Sequence, residues 1–316
     1  MTTAWFFPGQ GTQQVGMGKQ LYESSPAARE VWERADSALG FSIKNLCFEG
    51  PEAELTLTKH AQPAIVTASI AALAAVKEAQ PALTQPACAA GHSLGEYSAL
   101  VAAGALDFED AVRLVHLRGQ AMQDAVPAGL GGMAAILGGD AATVEALCRD
   151  AAQGEVVSPA NFNTPGQIVI SGHKSAVERA AALAAERKLK ATLLNVSAPF
   201  HCSLMAPAAA RMKSALAEVR VGALAFPVYA NVEAKPNPDA ARVAELLVKQ
   251  VDSPVLWDQT VLAMAEAGVT RALEIGPGKI LANMAKRIDK RVGVLSVGDP
   301  ESVAKVGEFL AGPAAG

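Results

Sequence analysis

The sequence predicts a mixed α/β fold, a mostly parallel sheet flanked by helices with a smaller subdomain inserted into it. Three observations carry that expectation. Short apolar runs stopped by Gly or Pro alternate with longer helical patterns, as crossover connections between parallel strands require. Of 316 residues, 51% are hydrophobic and only 18% charged, which supplies apolar surface for a large core and argues against disorder. One internal stretch, finally, has an element rhythm of its own.

Taken in order, AWFF (4–7) reads as a first buried strand feeding a loop through Pro8 and Gly9. A helical pattern runs from about Gly16 to Leu39, and a second helix is expected from Pro63 to about Ala79. ACAAG (87–91) is a small-residue strand that leads into a helix ending at Gly104. Next come strand MAAILG, helix DAATVEALCRDAA, strands EVVSPANF and QIVISG, helix HKSAVERAAALAAERK and strand ATLLNV. This βαββαβ order is the split unit of ferredoxin-like folds. Gly and Pro cluster at both of its ends, so 130–196 is expected to form the inserted subdomain, with 1–129 and 197–316 as the main domain. A helix through Leu216, a strand at FPVYAN and a loop NVEAKPNPD follow, then helices on either side of Trp257. RALEI runs into a Gly-Pro-Gly turn, the helix KILANMAKRI and a final strand VGVLSV, and the terminal AGPAAG reads as a frayed tail.

Composition removes several function classes. With 27 Lys and Arg against 31 Asp and Glu the net charge is −4, so no basic field exists to hold nucleic acid. Cys47, Cys88, Cys148 and Cys202 form no CxxC pair, which argues against a zinc ribbon or thioredoxin-like site and fits a reduced, cytoplasmic setting. The start MTTAWFFPGQG lacks a basic n-region, and the run ASIAALAAV is too short to span a bilayer, so neither secretion nor membrane insertion is expected. FPGQGTQ has neither dinucleotide-loop nor P-loop spacing, which sets aside NAD, kinase and NTPase readings.

Gly91-His92-Ser93-Leu94-Gly95 matches GxSxG between an expected strand and an expected helix, the context of a nucleophile elbow. The turn is so tight that side chains two residues on either side of Ser93 would collide. A helix beginning at Leu94 would aim free backbone N–H groups at an oxyanion formed on a carbonyl attacked by Ser93. The competing reading is a capping box, since Ser93 and Glu96 have its spacing. A serine hydroxyl needs a base. His60 and His173 sit in polar sequence and read as solvated, His92 would point to the far side of the elbow, and His116 lies on the polar side of its helix. His201, in SAPFHCSLM, could project into a cleft, or could be a buried histidine satisfied by backbone. No Asp or Glu stands as an obvious third member, so a Ser-His dyad oriented by a neutral acceptor such as a backbone carbonyl is the simpler proposal. Arg118 shares an apolar helix stripe with Ala111, Leu114, Val115 and Met122. An inward guanidinium calls for an internal acid or a bound carboxylate opposite it.

FPGQGTQ, LTLTKHAQPAI (55–65), GHSLGEYSAL (91–100), LRGQAMQ around Arg118, FHCSLM (200–205) and EIGPGKIL (274–281) together resemble the malonyl-CoA:acyl carrier protein transacylases of fatty acid synthesis. The resemblance spans nearly the whole chain. It implies an α/β-hydrolase-like core with a ferredoxin-like subdomain, Ser93 as the acylated nucleophile and His201 as its base. It further implies an oxyanion hole from the N–H groups of Gln10 and Leu94, a backbone carbonyl of Gln250 holding the histidine, and Arg118 pairing with the malonyl carboxylate. The implied substrate is malonyl-CoA and the implied partner an acyl carrier protein bearing phosphopantetheine; no cofactor or metal is expected, and a monomer is.

Leu94 and Phe200 look like the malonyl-selective members of the related polyketide acyltransferases, and some dedicated relatives carry Ser in place of Phe200. Supply of a polyketide synthase is therefore an alternative role. A thioesterase or other serine hydrolase, which passes the acyl group to water, and a catalytically silent docking subunit complete the alternatives.

Overall fold

The computed structural model describes residues 2–196 and 198–312. The first half of the main body contains β1 (Thr2–Phe7), α1 (Lys19–Ser24), α2 (Pro26–Leu39), α3 (Ile43–Glu49), α4 (Glu52–Thr56), α5 (Thr58–Ala79), β2 (Cys88–Gly91), α6 (Gly95–Ala102) and α7 (Phe108–Asp124). The smaller unit follows as β3 (Gly131–Leu137), α8 (Ala141–Ala152), β4 (Val157–Thr164), β5 (Gln167–His173), α9 (Lys174–Glu186) and β6 (Lys190–Leu193). The chain returns through a 3₁₀ turn at Ser203–Met205 to α10 (Ala206–Ala217), β7 (Val228–Ala230), β8 (Lys235–Asn237), α11 (Ala240–Asp252) and β9 (Val255–Leu256). It ends with α12 (Trp257–Glu266), β10 (Val269–Ile275), α13 (Ile280–Ile288), β11 (Gly293–Val297) and α14 (Pro300–Ala311).

The larger sheet has the order β11-β10-β1-β2-β7-β8 and is parallel except for the terminal β7–β8 pair. β1 sits at its centre because Ala4, Trp5, Phe6 and Phe7 are all buried, an unbroken apolar run suited to a strand covered on both faces. In the smaller sheet, order β6-β3-β5-β4-β9, all pairs are antiparallel but the last. Ala134 and Ile136 of β3 face α8 and α9, packing with Val144, Leu147 and Val177, whereas Met133 belongs to the main core. The period of two thus gives the small sheet one private face and one shared face. β9 also joins this sheet from outside 130–196, pairing Asn161 and Phe162 with Val255 and Leu256.

Several expected elements differ. The single helical stretch over 16–39 is two helices, because Ser25 caps α2 by accepting the Ala28 N–H at 3.1 Å and Pro26 takes the first helical position. α5 begins at Thr58 rather than Pro63. Proline inside a helix leaves the carbonyl four residues back without its donor; here that carbonyl, of Lys59, is met by His116 Nδ1 at 2.7 Å. The expected loop NVEAKPNPD contains β8, where Pro236 is tolerated because the strand lies at a sheet edge. The helix α14 is additional, opened by a capping box between Asp299 and Ser302 with Pro300 following the cap. Of the expected tail AGPAAG, Ala311 ends α14 and 313–316 lie outside the described residues. Among the described residues no helix is long and apolar enough to cross a membrane.

Candidate active site

Ser93 stands between β2 and α6 with φ of 52°, in the left-handed region. The glycines around it are sterically required. A Cβ on Gly91 would fall 1.9 Å from the Gly95 carbonyl, and one on Gly95 would fall 2.3 Å from the Phe7 oxygen. Asn231, just after β7, holds the turn from two sides: its Oδ1 accepts the Ser93 N–H at 2.7 Å and its Nδ2 donates to the Gly91 carbonyl at 2.7 Å. The Ser93 carbonyl accepts from Gln250 Nε2 at 2.9 Å. A strained conformation persists only where its surroundings over-determine it, and these bonds do so.

The Ser93 hydroxyl is 2.8 Å from His201 Nε2, and Arg118 Nη2 donates to it at 3.1 Å. His201 Nδ1 lies 2.9 Å from the Gln250 carbonyl oxygen at the end of α11. A carbonyl can only accept, so Nδ1 carries the proton and the lone pair at Nε2 faces the serine. Burial, and then the Arg118 charge, push the His201 pKa down to about 3, which keeps the imidazole neutral. The capping-box reading fails on this geometry. Ser93 Oγ engages His201 and Arg118, while Glu96 accepts the Asn231 N–H and a proton of Gln250.

Arg118 is 1% exposed. An acid or a bound carboxylate was expected opposite it, yet its direct acceptors are neutral: Gln62 Oε1 at 2.7 Å, Gln250 Oε1 at 2.9 Å and the serine hydroxyl. The Glu96 carboxylate lies one amide further away, reached through Gln250. Arg118 Nε has no partner among the described residues.

The loop after β1 lies against the elbow, since a Cβ on Gly9 would meet the His92 carbonyl oxygen at 2.6 Å. Thr12 Oγ1 secures it by donating to the Gly9 carbonyl at 2.9 Å. The backbone N–H groups of Gln10 and Leu94 find no acceptor among the described residues. Gln10, His92, Ser93, Arg118, Phe200 and His201 all line one cleft of 540 Å³ between the two sheets. Met133, Asn161, Asn163, Val169 and Leu194 close it from the smaller unit, and Ile280, Leu281 and Met284 from α13. Glu274 sets that helix in place by accepting the Leu281 and Ala282 N–H groups at 2.8 and 3.0 Å.

The remaining histidines are more involved than the sequence suggests. His92 lines the cleft, 3.0 Å from Asn163 Oδ1, rather than turning away from it. His60 stacks on His116 at 6.4 Å, and His173 Nδ1 accepts the Val156 N–H at 2.9 Å, so neither is simply solvated. Gln62, Glu96, Asn231 and Asn163 escaped the sequence reading. Glu96 alone had a local signal, as the last position of the apparent capping box. Among the described residues no group of three or more His, Cys, Asp or Glu could hold a metal ion.

This arrangement pairs a hydroxyl with a neutral imidazole at the start of a helix, as serine-based acyl transfer requires, and sets a buried guanidinium beside them. The acyl transferase domain family matches residues 4–307, and the chain belongs to that family. A malonyl CoA-acyl carrier protein transacylase of Escherichia coli K12 is 47% identical over 302 residues, covering 95% of this chain and 97% of that protein. The crystal structure of an acyl carrier protein S-malonyltransferase from Vibrio cholerae superposes with a TM-score of 0.93 at 46% identity, covering 97% of this chain and all of that one. A structure of a type II PKS acyl-carrier protein in complex with its malonyl-transacylase matches with a TM-score of 0.94 at 42% identity, covering 98% of this chain and 100% of the matched one.

Proposed function

We propose that this protein transfers a malonyl group from malonyl-CoA to the phosphopantetheine thiol of an acyl carrier protein, for fatty acid synthesis, by way of malonyl-Ser93. One observation carries the reading: the Ser93 hydroxyl lies within hydrogen-bond distance of both the neutral His201 ring and the buried Arg118 guanidinium.

His201 takes the serine proton as Oγ attacks the thioester carbonyl. The Gln250 carbonyl, 2.9 Å from Nδ1, orients the ring and stabilises the imidazolium that forms. The N–H groups of Gln10 and Leu94 receive the tetrahedral oxyanion; losing one such donor typically costs about 10²–10³ in rate. The proton held on Nε2 passes to the departing coenzyme A sulfur. The carrier thiol then attacks malonyl-Ser93, its proton goes to His201, and the collapse of the second tetrahedral intermediate returns a proton to Ser93. Arg118 holds the malonyl carboxylate through both steps by charge-assisted hydrogen bonds. The phosphopantetheine arm belongs to the carrier, so the enzyme acts without a resident cofactor or metal. We place it in the cytoplasm as a monomer built from a main domain, 1–129 with 197–316, and the subdomain 130–196.

Intact mass spectrometry after malonyl-CoA or acetyl-CoA, followed by a pantetheinylated carrier, tests the proposal. A malonyl adduct on Ser93 that persists in water and leaves on adding the carrier is the expected result. Decay of the adduct without carrier would mark a hydrolase. Phe200, 8% exposed in the cleft wall, favours a second reading, supply of a polyketide synthase. Parallel arms with fatty-acid and polyketide carriers separate the two by rate.

A further inference from the structure

Arg118 touches no anion directly, yet a carboxylate lies one side chain away. Gln250 Oε1 accepts from Arg118 Nη2 at 2.9 Å while its Nε2 donates to Glu96 Oε2 at 2.8 Å. The same Glu96 oxygen accepts the Asn231 N–H at 3.0 Å. Glu96 is 3% exposed, and its Oε1 makes no hydrogen bond among the described residues.

The groups around this carboxylate can be named element by element. α7 contributes the Arg118 cation. On the same helix as Glu96, burial pushes the Tyr97 hydroxyl up to about 12, so it is neutral. Among the described residues, α11 and the end of β7 meet it through Gln250 and the backbone of Asn231, both uncharged. His92 and His201, nearby at the elbow, are both held neutral by burial. At rest, then, one buried cation is balanced by one buried carboxylate.

The proposed reaction, on which this inference rests, brings in a second carboxylate. Two anions sharing one buried guanidinium would leave an uncompensated negative charge beside buried groups, and one carboxyl must then favour its protonated form. We propose that Glu96 is the resting counter-ion of Arg118, and that it gives up this role when a malonyl group docks by taking a proton from solvent at Oε1. The one bond formed at Glu96 is that O–H. The acyl group moves from sulfur to Ser93 oxygen, and the serine proton leaves on the thiol. Protonation at Oε1 keeps both hydrogen bonds at Oε2, so the Gln250 bridge to Arg118 and to the Ser93 carbonyl need not move. Burial already holds the Glu96 carboxyl up at about 7, so the proton is taken readily near neutrality. An acetyl group carries no charge and calls for no proton. Glu96 is thus a positioning residue that ties acyl preference to pH.

The test loads the protein with malonyl-CoA or acetyl-CoA in weakly buffered solution containing a pH indicator, with adduct counted by intact mass. Thiol release is common to both loadings, so the difference between them reports Glu96. Malonyl loading should take up more protons than acetyl loading. The excess should be near zero well below pH 7 and approach about one proton per adduct above it. In the native protein kcat/KM for malonyl-CoA should fall above pH 7 by up to about tenfold per pH unit, relative to acetyl-CoA. Glu96→Gln should abolish the excess and flatten that decline. Should the variant not fold, infrared difference spectra of the native protein still decide, since a protonated-carboxyl band should appear on malonyl loading only. Equal proton uptake in the two loadings at about pH 8, absence of the band, or an excess that survives Glu96→Gln overturns the proposal. No malonyl adduct at all would instead overturn the acyl-transfer reading.

Discussion

The two sheets of this protein solve opposite problems. Around the parallel sheet the interior holds Glu96, Arg118, His201, Arg271 and Glu274, all at 3% exposure or less and all hydrogen-bonded, Arg271 to the carbonyls of Phe309 and Leu310. The antiparallel unit buries no charged side chain among its described residues; its private core is Ala134, Ile136, Val144, Leu147, Ile168, Ile170 and their neighbours. Buried charge is costly without partners, so it collects where strand ends, helix ends and a tight turn bring many donors together. The dry sheet supplies instead a wall, through Met133, Asn163, Val169 and Leu194. Chemistry and shape are therefore divided between the two units, and substitutions should divide in the same way.

The largest effect is expected at Ser93. Ser93→Ala should remove the covalent adduct seen by intact mass and lower carrier malonylation by at least about 10⁴-fold while the fold survives. Arg118→Ala comes next. It should narrow or invert the malonyl-to-acetyl preference, with a loss of about 10²-fold or more on malonyl alone; an unchanged ratio in competition assays would remove Arg118 from substrate binding. Gly91→Ala tests the turn rather than its chemistry. With a Cβ 1.9 Å from the Gly95 carbonyl, it should cost at least about 1–3 kcal/mol in denaturant melts and depress kcat as Ser93 shifts.

In the dry unit the pattern should reverse. Ile136→Ala should lower stability by about 2–5 kcal/mol, yet the folded fraction should form the adduct at the native rate. A strong kcat defect per folded molecule would show the units to be coupled rather than divided. The smallest effect belongs to Asn163→Ala, which removes the 3.0 Å contact with His92. It should raise KM a few-fold and leave kcat nearly unchanged. The His201 ring offers a check by pH: because burial holds it near 3, acetyl loading should not fall between about pH 7 and 5, whereas a base titrating at its ordinary value would lose most of its activity there.

The elements were legible where a local rule governed them. GxSxG between strand and helix, the βαββαβ order and the buried run of β1 each depend on residues a few positions apart. Two misses had local signals that went unread: Ser25-Pro26 splitting the first helix, and Asp299-Pro300 opening α14. The start of α5 had none, because Pro63 is tolerated through His116, which lies on another helix. The roles implied for Gln10, Leu94 and Gln250 came from family resemblance, not from periodicity or spacing.

By itself the sequence determined the sites of tight turns, the strand and helix order, and the presence of one arginine on an apolar stripe. Those follow from sterics and burial within single elements. Tertiary structure alone decided that Asn231, Gln250 and Glu96 meet behind the elbow, that Arg118 rests on amides, and that His92 turns into the cleft. Such contacts join residues from 56 to 154 positions apart. A buried polar group takes whichever donor the packing of distant elements brings within about 3 Å, and no local pattern encodes that choice.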